Sequence, residues 1–218
     1  MDKKYEKAVS LIREAKHITV FTGAGISVES GIPPFRGEKG VWNKYDPEIF
    51  ELNYFHKNPE ESWGIIKKVF YNLYGKAEPN KAHEVLAEWE KRGIVNSIIT
   101  QNIDGLHQKA GNKNVYEFHG TTRMLSCLEC GKSYDIEKSN DLLEEIPPKC
   151  EDCGGVLKPD FVFFGEGIPK EAYNLSLKES KKADLFLVIG TTGEVMPASF
   201  IPQKASAAGT KIIEVNVK

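Results

Sequence analysis

Apolar and polar positions along this chain follow two alternating registers. Over residues 4–15, Tyr5, Val9, Leu11 and Ile12 recur near one face among charges, which predicts an amphipathic helix. His17-Ile18-Thr19-Val20-Phe21-Thr22 is then β-branched and aromatic, as a buried strand is, and it runs straight into Gly23-Ala24-Gly25. The same helix-then-strand unit returns three times. KAHEVLAEWEKRG leads into Ile94–Thr100, a helical stretch after 170 leads into Ala183–Gly190, and 198–208 leads into Lys211–Asn216. Nearly continuous apolar strands alternating with helices predict a parallel sheet covered on both faces. The fold class is therefore α/β, a doubly wound, Rossmann-like sheet, whose ligands bind at the carboxyl ends of the strands.

Two stretches interrupt that rhythm. Residues 37–79 are rich in aromatics, among them Trp42, Phe50, Trp63, Phe70 and Tyr74, and read as a helical insertion. Residues 124–157 hold all four cysteines and a polar, acidic middle. Together they predict a small module (37–75 and 124–157) beside a larger one (1–36, 76–123 and 158–218).

Composition narrows the function without naming it. At 218 residues with 40% hydrophobic and 28% charged positions, the chain can build one large core. A net charge of −2, with acidic residues across 135–145, argues against direct nucleic-acid binding. The first residues lack the continuous apolar region of a signal peptide, and no apolar run reaches the ~20 residues of a membrane span. A cytoplasmic location is the expectation.

The cysteines form two pairs, Cys127-x-x-Cys130 and Cys150-x-x-Cys153, each followed by glycine. Four thiolates at this spacing suit a closed, structural Zn²⁺ site. Two disulfides or a redox pair are the competing readings, disfavoured where thiols stay reduced. Because such a site is saturated, the chemistry is expected elsewhere.

Three strand ends carry candidate chemistry. Gly23-Ala24-Gly25-Ile26-Ser27 resembles the opening of a dinucleotide fingerprint, where a tight turn exposes N–H groups to a pyrophosphate; the alternative is an ordinary strand-to-helix turn. Ser30-Gly31-Ile32-Pro33-Pro34-Phe35-Arg36-Gly37 reads as a loop that closes over an anion, with Arg36 otherwise a solvated charge. Gln101-Asn102-Ile103-Asp104 puts polar groups where desolvation demands partners; Asp104 as a local cap is the bland reading. Val115–His119 delivers a histidine suited to proton transfer, or one that is simply structural.

Taken in order, GAGIS, SGIP-x-FRG, TQNIDGLH, the His119-Gly120 pair, the two CxxC knuckles, Phe164-Gly165-Glu166 and Gly190-Thr191 resemble the sirtuins over about residues 16–218. That resemblance implies an NAD⁺-dependent protein-lysine deacylase that yields nicotinamide, O-acyl-ADP-ribose and free lysine. Mono-ADP-ribosyl transfer from the same pocket, or a non-catalytic NAD⁺ or acyl-lysine binding module, are the alternatives. It implies NAD as co-substrate and Zn²⁺ as structural metal. Gly23, Ala24, Gly25 and Ser27 would line the pyrophosphate and ribose, with Phe35 and Arg36 on a mobile loop that shields the reacting carbon. Gln101 would meet the ribose, and Asn102, Ile103 and Asp104 the nicotinamide pocket. His119 would be the general base, with Asn102 also in the catalytic set. Gly190, Thr191, Thr192 and Asn216 would contact the adenosine side. Val162 and Phe164 would line the acyl-lysine tunnel. The protein substrate would add as a strand between Phe164-Gly165-Glu166 and Gly193-Glu194-Val195.

This chain also departs from the family pattern. Pro34 stands where aspartate is common, which stiffens the loop. The Tyr-x-x-Arg pair that binds acyl carboxylates is absent from 60–78; Lys67 and Phe70 take the corresponding positions, which implies uncharged acyl groups. Family members also continue beyond Asn216-Val217-Lys218 with further adenine contacts, so weaker NAD⁺ binding is expected of the sequence as it stands.

Overall fold

The computed structural model describes residues 2–38 and 40–217. Its first half runs α1 (Lys3–Glu14), β1 (Ile18–Thr22), α2 (Leu52–Lys57), α3 (Pro59–Ile66), α4 (Asn72–Tyr74), α5 (Lys81–Lys91), β2 (Ser97–Thr100) and α6 (Leu106–Ala110). Then follow β3 (Val115–Glu117), β4 (Gly120–Cys127), β5 (Ser133–Asp135), β6 (Leu157–Phe161), α7 (Lys170–Lys182), β7 (Leu185–Ile189), α8 (Phe200–Ala207) and β8 (Lys211–Val215). Five strands form one parallel sheet in the order β3-β2-β1-β7-β8. The order reverses at β1, which pairs with β2 on one side and β7 on the other. β1 and β2 are buried throughout, as their unbroken apolar and threonine runs require.

Four expectations need correction. β2 begins at Ser97 rather than Ile94, because Ile94 and Val95 still hydrogen-bond back to Trp89 at the end of α5. Strand pairing starts only once Asn96 meets Ile18. Tyr5 and Val9 on α1 are exposed, so only Leu11 and Ile12 face the core. The segment after β1 is a 3-10 helix over Ala24–Ser30, not the start of an α-helix. The sheet is covered on both faces except at β8, where Lys211, Ile212, Glu214 and Val215 are exposed.

β5, β4 and β6 form a separate antiparallel sheet. The helical insertion packs against it in one shared core: Phe50, Phe55, Trp63, Ile66 and Phe70 meet Leu125, Cys127, Leu157, Phe161 and Phe163. The Trp63 indole N–H donates to the Leu157 carbonyl at 2.8 Å. The insertion thus supplies the apolar mass that the cysteine segment lacks. A five-residue π-helix at Lys67–Tyr71 turns Val69 and Phe70 inward, so that Phe70 sits at the centre of an aromatic cluster.

The four cysteines converge, with all Sγ atoms within 4.8 Å of one another. Cys127 and Cys153 stand 3.4 Å apart, and Cys130 and Cys150 3.6 Å apart. These gaps exceed a disulfide bond of about 2.05 Å. They approach the ~3.8 Å edge of a tetrahedron with Zn–S near 2.3 Å. The Tyr134 hydroxyl lies 3.1 Å from Cys150 Sγ, a hydrogen bond that favours the thiolate a metal needs. Gly155 completes the cradle, since a Cβ there would stand 2.9 Å from Cys127 Sγ. The donor set fits a structural Zn²⁺.

Beneath the β1–β2 edge, His107 is fully buried, with Nε2 3.0 Å from the Thr22 hydroxyl. Its ring centroid lies 4.9 Å from that of His83. Burial first, and the neighbouring His83 second, push the His107 imidazole down to about 3.

Two outcomes follow from these observations. Removing the metal with a strong chelator should lower Tm by at least about 5 °C, equivalent to roughly 2 kcal/mol in a chain of this size. An unchanged melting curve after verified metal loss would rule out a structural role. The buried His107 stays neutral where an unfolded histidine protonates near 6.5. Between that value and about 3 the unfolded state therefore binds the extra proton, and stability falls as pH falls. Going from pH 7 to 5 should cost on the order of 2 kcal/mol through this group. Urea titrations should show the loss shrinking in His107→Gln.

Candidate active site

The carboxyl ends of β1, β2, β3 and β7 open onto one edge of the parallel sheet, at the point where strand order reverses. There the β1 and β7 turns almost touch. Gly25 N–H donates to the Gly190 carbonyl at 2.8 Å, and Gly23 N–H donates to Ile189 at 3.1 Å. A Cβ on Gly190 would stand 2.3 Å from the Ile26 nitrogen, and one on Gly25 2.7 Å from the Gly190 oxygen. Only glycine fits at either position. Gly190 also has φ of 65°, a conformation that L side chains rarely adopt.

The polar residues after β2 find their partners across this junction. The Asn102 amide donates to the Gly23 carbonyl at 3.2 Å and to the Ser27 hydroxyl at 3.1 Å. Ser27 in turn donates to Asp104 at 2.7 Å, whose other oxygen accepts the Leu106 N–H at 3.0 Å. Asp104 is therefore both a local cap and a member of the site. Below them Thr22 donates to Thr100 at 2.8 Å, and Thr100 accepts the Asn102 N–H at 3.0 Å, which fixes where Asn102 begins. Gln101 reaches the other way, donating to Thr191 Oγ1 at 3.0 Å, and Asn216 donates to the Thr191 carbonyl at 3.0 Å.

A narrow cleft is lined by Ala24, Ser27, Ile32, Phe35, Tyr74, Asn102, Ile103 and Asp104. Phe35 stacks on Trp42 with centroids 5.2 Å apart and lies 6.3 Å from Phe70, so the loop rests against the insertion. Trp42 N–H donates to the Phe35 carbonyl at 3.1 Å, and Val41 N–H to that of Pro34 at 2.9 Å. His119 is tied to the same β2-end segment through Gln101. Its Nδ1 is 3.1 Å from the Gln101 carbonyl, an oxygen that only accepts, so Nδ1 carries the proton and Nε2 keeps its lone pair. Burial holds the imidazole below its ordinary range against the opposing pull of that carbonyl. A half-buried, neutral imidazole with a free Nε2 is chemically a base.

The remaining sequence-derived residues occupy the rim. Arg36 points outward, 62% exposed, with Nη1 3.6 Å from Glu194, which is 66% exposed. Thr192 is exposed, Gly193 donates to Thr191 Oγ1 at 3.2 Å, and the Val195 carbonyl accepts from Ser199. Val162 donates to the His119 carbonyl at 2.8 Å, tying the two segments together. Phe164 is half exposed near Trp42, and Gly165 beside it has φ of 82°. The Glu166 carboxylate turns away from the cleft toward Lys158 and the Phe163 N–H.

Some participants were not legible beforehand. Tyr74 lines the cleft, but the aromatic richness of the insertion carries no register. Asn80 caps α5 and also donates to the Ile26 carbonyl at 2.7 Å and to Ser30 at 3.0 Å, bracing the turn from below. Thr22, Thr100 and His107 read as strand and helix residues, and only their burial together reveals a network.

Comparison with known proteins agrees with this geometry. The Sir2 family model matches residues 23–197. An NAD-dependent protein deacetylase of Saccharolobus solfataricus is 46% identical over 216 residues, covering 98% of this chain and 86% of that protein. NAD-dependent protein deacylase 2 of Archaeoglobus fulgidus is 44% identical over 221 residues, covering 100% of this chain and 87% of its own length. Among solved structures, a Sir2 variant with a deacetylated p53 peptide and 3'-O-acetyl ADP ribose superposes with a TM-score of 0.92 at 37% identity, over 98% of this chain and 87% of that one. A Sir2 homolog–NAD complex gives a TM-score of 0.88 at 40% identity, over 97% and 82%. This chain belongs to the Sir2 family.

Proposed function

We propose that this protein is an NAD⁺-dependent protein-lysine deacylase that releases nicotinamide, O-acyl-ADP-ribose and free lysine. The observation that carries the reading is His119. It is a neutral base anchored through Nδ1 to Gln101, the residue that precedes Asn102 of the Asn102–Ser27–Asp104 network. Bound NAD⁺ supplies the ribose carbon from which nicotinamide leaves and the hydroxyls to which the acyl group passes. The protein's part is to hold, shield and deprotonate.

Gly23, Ala24, Gly25 and Ser27 would hold the pyrophosphate and nearby ribose, because the turn presents main chain with no side chain in the way. Asn102, Ile103 and Asp104 would form the nicotinamide pocket, an amide and a carboxylate being suited to a carboxamide. Gln101, Gly190, Thr191, Thr192 and Asn216 would meet the riboses and adenine. Phe35, stacked on Trp42, would exclude water from the reacting carbon. Arg36 serves better as a rim charge than as a ligand inside the cleft, given its pairing with Glu194. His119 Nε2 would take a ribose hydroxyl proton, with Asn102 fixing the partner groups. The substrate protein would add as a strand between Phe164-Gly165-Glu166 and Gly193-Glu194-Val195; among the described residues the Gly165 main chain pairs with nothing, which leaves it free for such pairing.

The acyl end is expected to be uncharged. The Lys67 ammonium is occupied by the Leu143 carbonyl, and Phe70 is 2% exposed among Phe35, Phe50, Tyr74 and Phe161. A carboxylate entering that cluster would be buried without a partner.

Incubating wild type with NAD⁺ and a panel of acyl-lysine peptides, read by mass spectrometry, should give free lysine and acyl-ADP-ribose. ADP-ribosylated protein in their place would favour the transferase alternative. His119→Ala should reduce kcat by about 10²–10⁴-fold, the range for a lost general base; undiminished turnover would mean that another group is the base. Acetyl peptides should exceed succinyl peptides in kcat/KM by at least about tenfold, or ~1.4 kcal/mol, and the reverse order would overturn the apolar-pocket reading. The acid limb of kcat/KM should lie below the ordinary imidazole value of ~6.5, because burial favours the neutral base. A limb above it would contradict the assignment.

A further inference from the structure

Lys158 is a buried lysine, only 7% exposed, on the last strand of the small sheet. Burying an ammonium costs several kcal/mol unless it is fully partnered. Here it is. Nζ donates to the Pro159 carbonyl at 2.9 Å and to the Phe161 carbonyl at 3.1 Å, and lies 3.0 Å from Glu166 Oε2. Two carbonyls accept hydrogen bonds from the ammonium, and the Glu166 carboxylate balances its charge as an ion pair. The face of the Phe163 ring supplies a fourth contact, 4.6 Å from Nζ to its centroid. The same Glu166 oxygen accepts the Phe163 N–H at 2.9 Å, while Glu166 N–H returns to the Phe163 carbonyl at 3.0 Å. One cation and one carboxylate thus define the turn from Phe161 to Glu166.

That turn joins three functional parts. Val162 N–H holds the His119 carbonyl at 2.8 Å. Phe164 N–H and C=O are taken by Phe50 and Leu52 of the insertion, at 2.9 and 3.0 Å. Gly165 follows with its main chain unpaired among the described residues. A well-packed apolar pair would serve stability as well as a buried ion pair, or better. What it would not supply is a fixed direction for this edge.

We propose that Lys158 and Glu166 are a positioning pair that sets the edge on which the acyl-lysine strand adds. Glu166 is then a partly exposed brace and not a substrate contact. The inference rests on the deacylase reading. It assigns the pair to the peptide side of the reaction and leaves NAD⁺ capture to the glycine junction across the cleft.

The test is steady-state kinetics on full-length Lys158→Met, Glu166→Gln and the double variant, with NAD⁺ and an acetyl-lysine peptide varied separately and Tm measured alongside. Lys158→Met, which keeps the length of the chain, should raise the peptide KM by about tenfold, a loss of ~1.4 kcal/mol in strand binding. Its NAD⁺ KM should stay within about twofold of wild type. The double variant carries no uncompensated buried charge, so its Tm should recover toward wild type. Its peptide KM should nonetheless remain raised, which a purely structural role would not produce. Should the single variant fail to fold, the double variant alone decides. A peptide KM at the wild-type value in a folded variant, or peptide and NAD⁺ KM rising together, overturns the proposal. Absence of any wild-type turnover would overturn the deacylase reading and this inference with it.

Discussion

The contact on which this site depends is the approach of two turns, Gly23-Ala24-Gly25 after β1 and Gly190 after β7. The 2.8 Å bond from Gly25 to Gly190 closes the crevice between the strands where the sheet reverses its order. Because no Cβ can enter there, main chain rather than side chain forms the closest approach of the two turns. The polar side chains are then drawn in from the flanks, Asn102 and Ser27 from one side and Gln101, Thr191 and Asn216 from the other. These side chains hold one another by hydrogen bonds before any ligand arrives, which is what preorganisation means here.

How much of this was legible in the sequence depends on how local each cause is. The parallel sheet and its gross strand positions were, because a run such as Ile18–Thr22 carries its own burial signal. The convergence of the four cysteines was also legible, since two CxxC knuckles leave little freedom. Register effects were not. Nothing local tells Ile94 to stay with α5 rather than join β2, or Tyr5 to face water rather than the sheet. Motif order located Asn102, Asp104 and His119, and the structure gathers them at one edge, but side-chain direction escaped it. Arg36 turns to the rim and Glu166 turns to a buried lysine, each chosen by partners distant in the chain. The π-helix at Lys67–Tyr71 is a further case, because one extra residue per turn decides which aromatic points inward.

The small module bears on the cleft through packing. Phe70 touches Phe35 of the loop, Phe50 of the insertion and Phe161 of the small sheet, with centroid distances of 6.3, 5.5 and 5.1 Å. Close-packed rings transmit displacement because there is little void to absorb it. The cysteine cluster lies at one end of this same core through Cys127 and Cys150, and the cleft lies at the other through Phe35. A metal that fixes the cluster therefore stiffens a wall of the site without contributing a group to it.

A similar division of labour separates two histidines, His107 and the proposed base His119. His107, sealed beneath the sheet edge and next to another histidine, is pushed so low that it remains neutral at any ordinary pH. It can then act as a constant donor to Thr22 and, through Thr100, fix the start of the Asn102 segment. His119 is only half buried and has one carbonyl opposing the downward pull of burial, and its Nε2 keeps a free lone pair. A histidine that holds geometry gains from never titrating, whereas one that moves a proton must titrate close to the working pH. The depth at which α6 holds one ring and the end of β3 the other, more than the residue type, separates a scaffold from the proposed base.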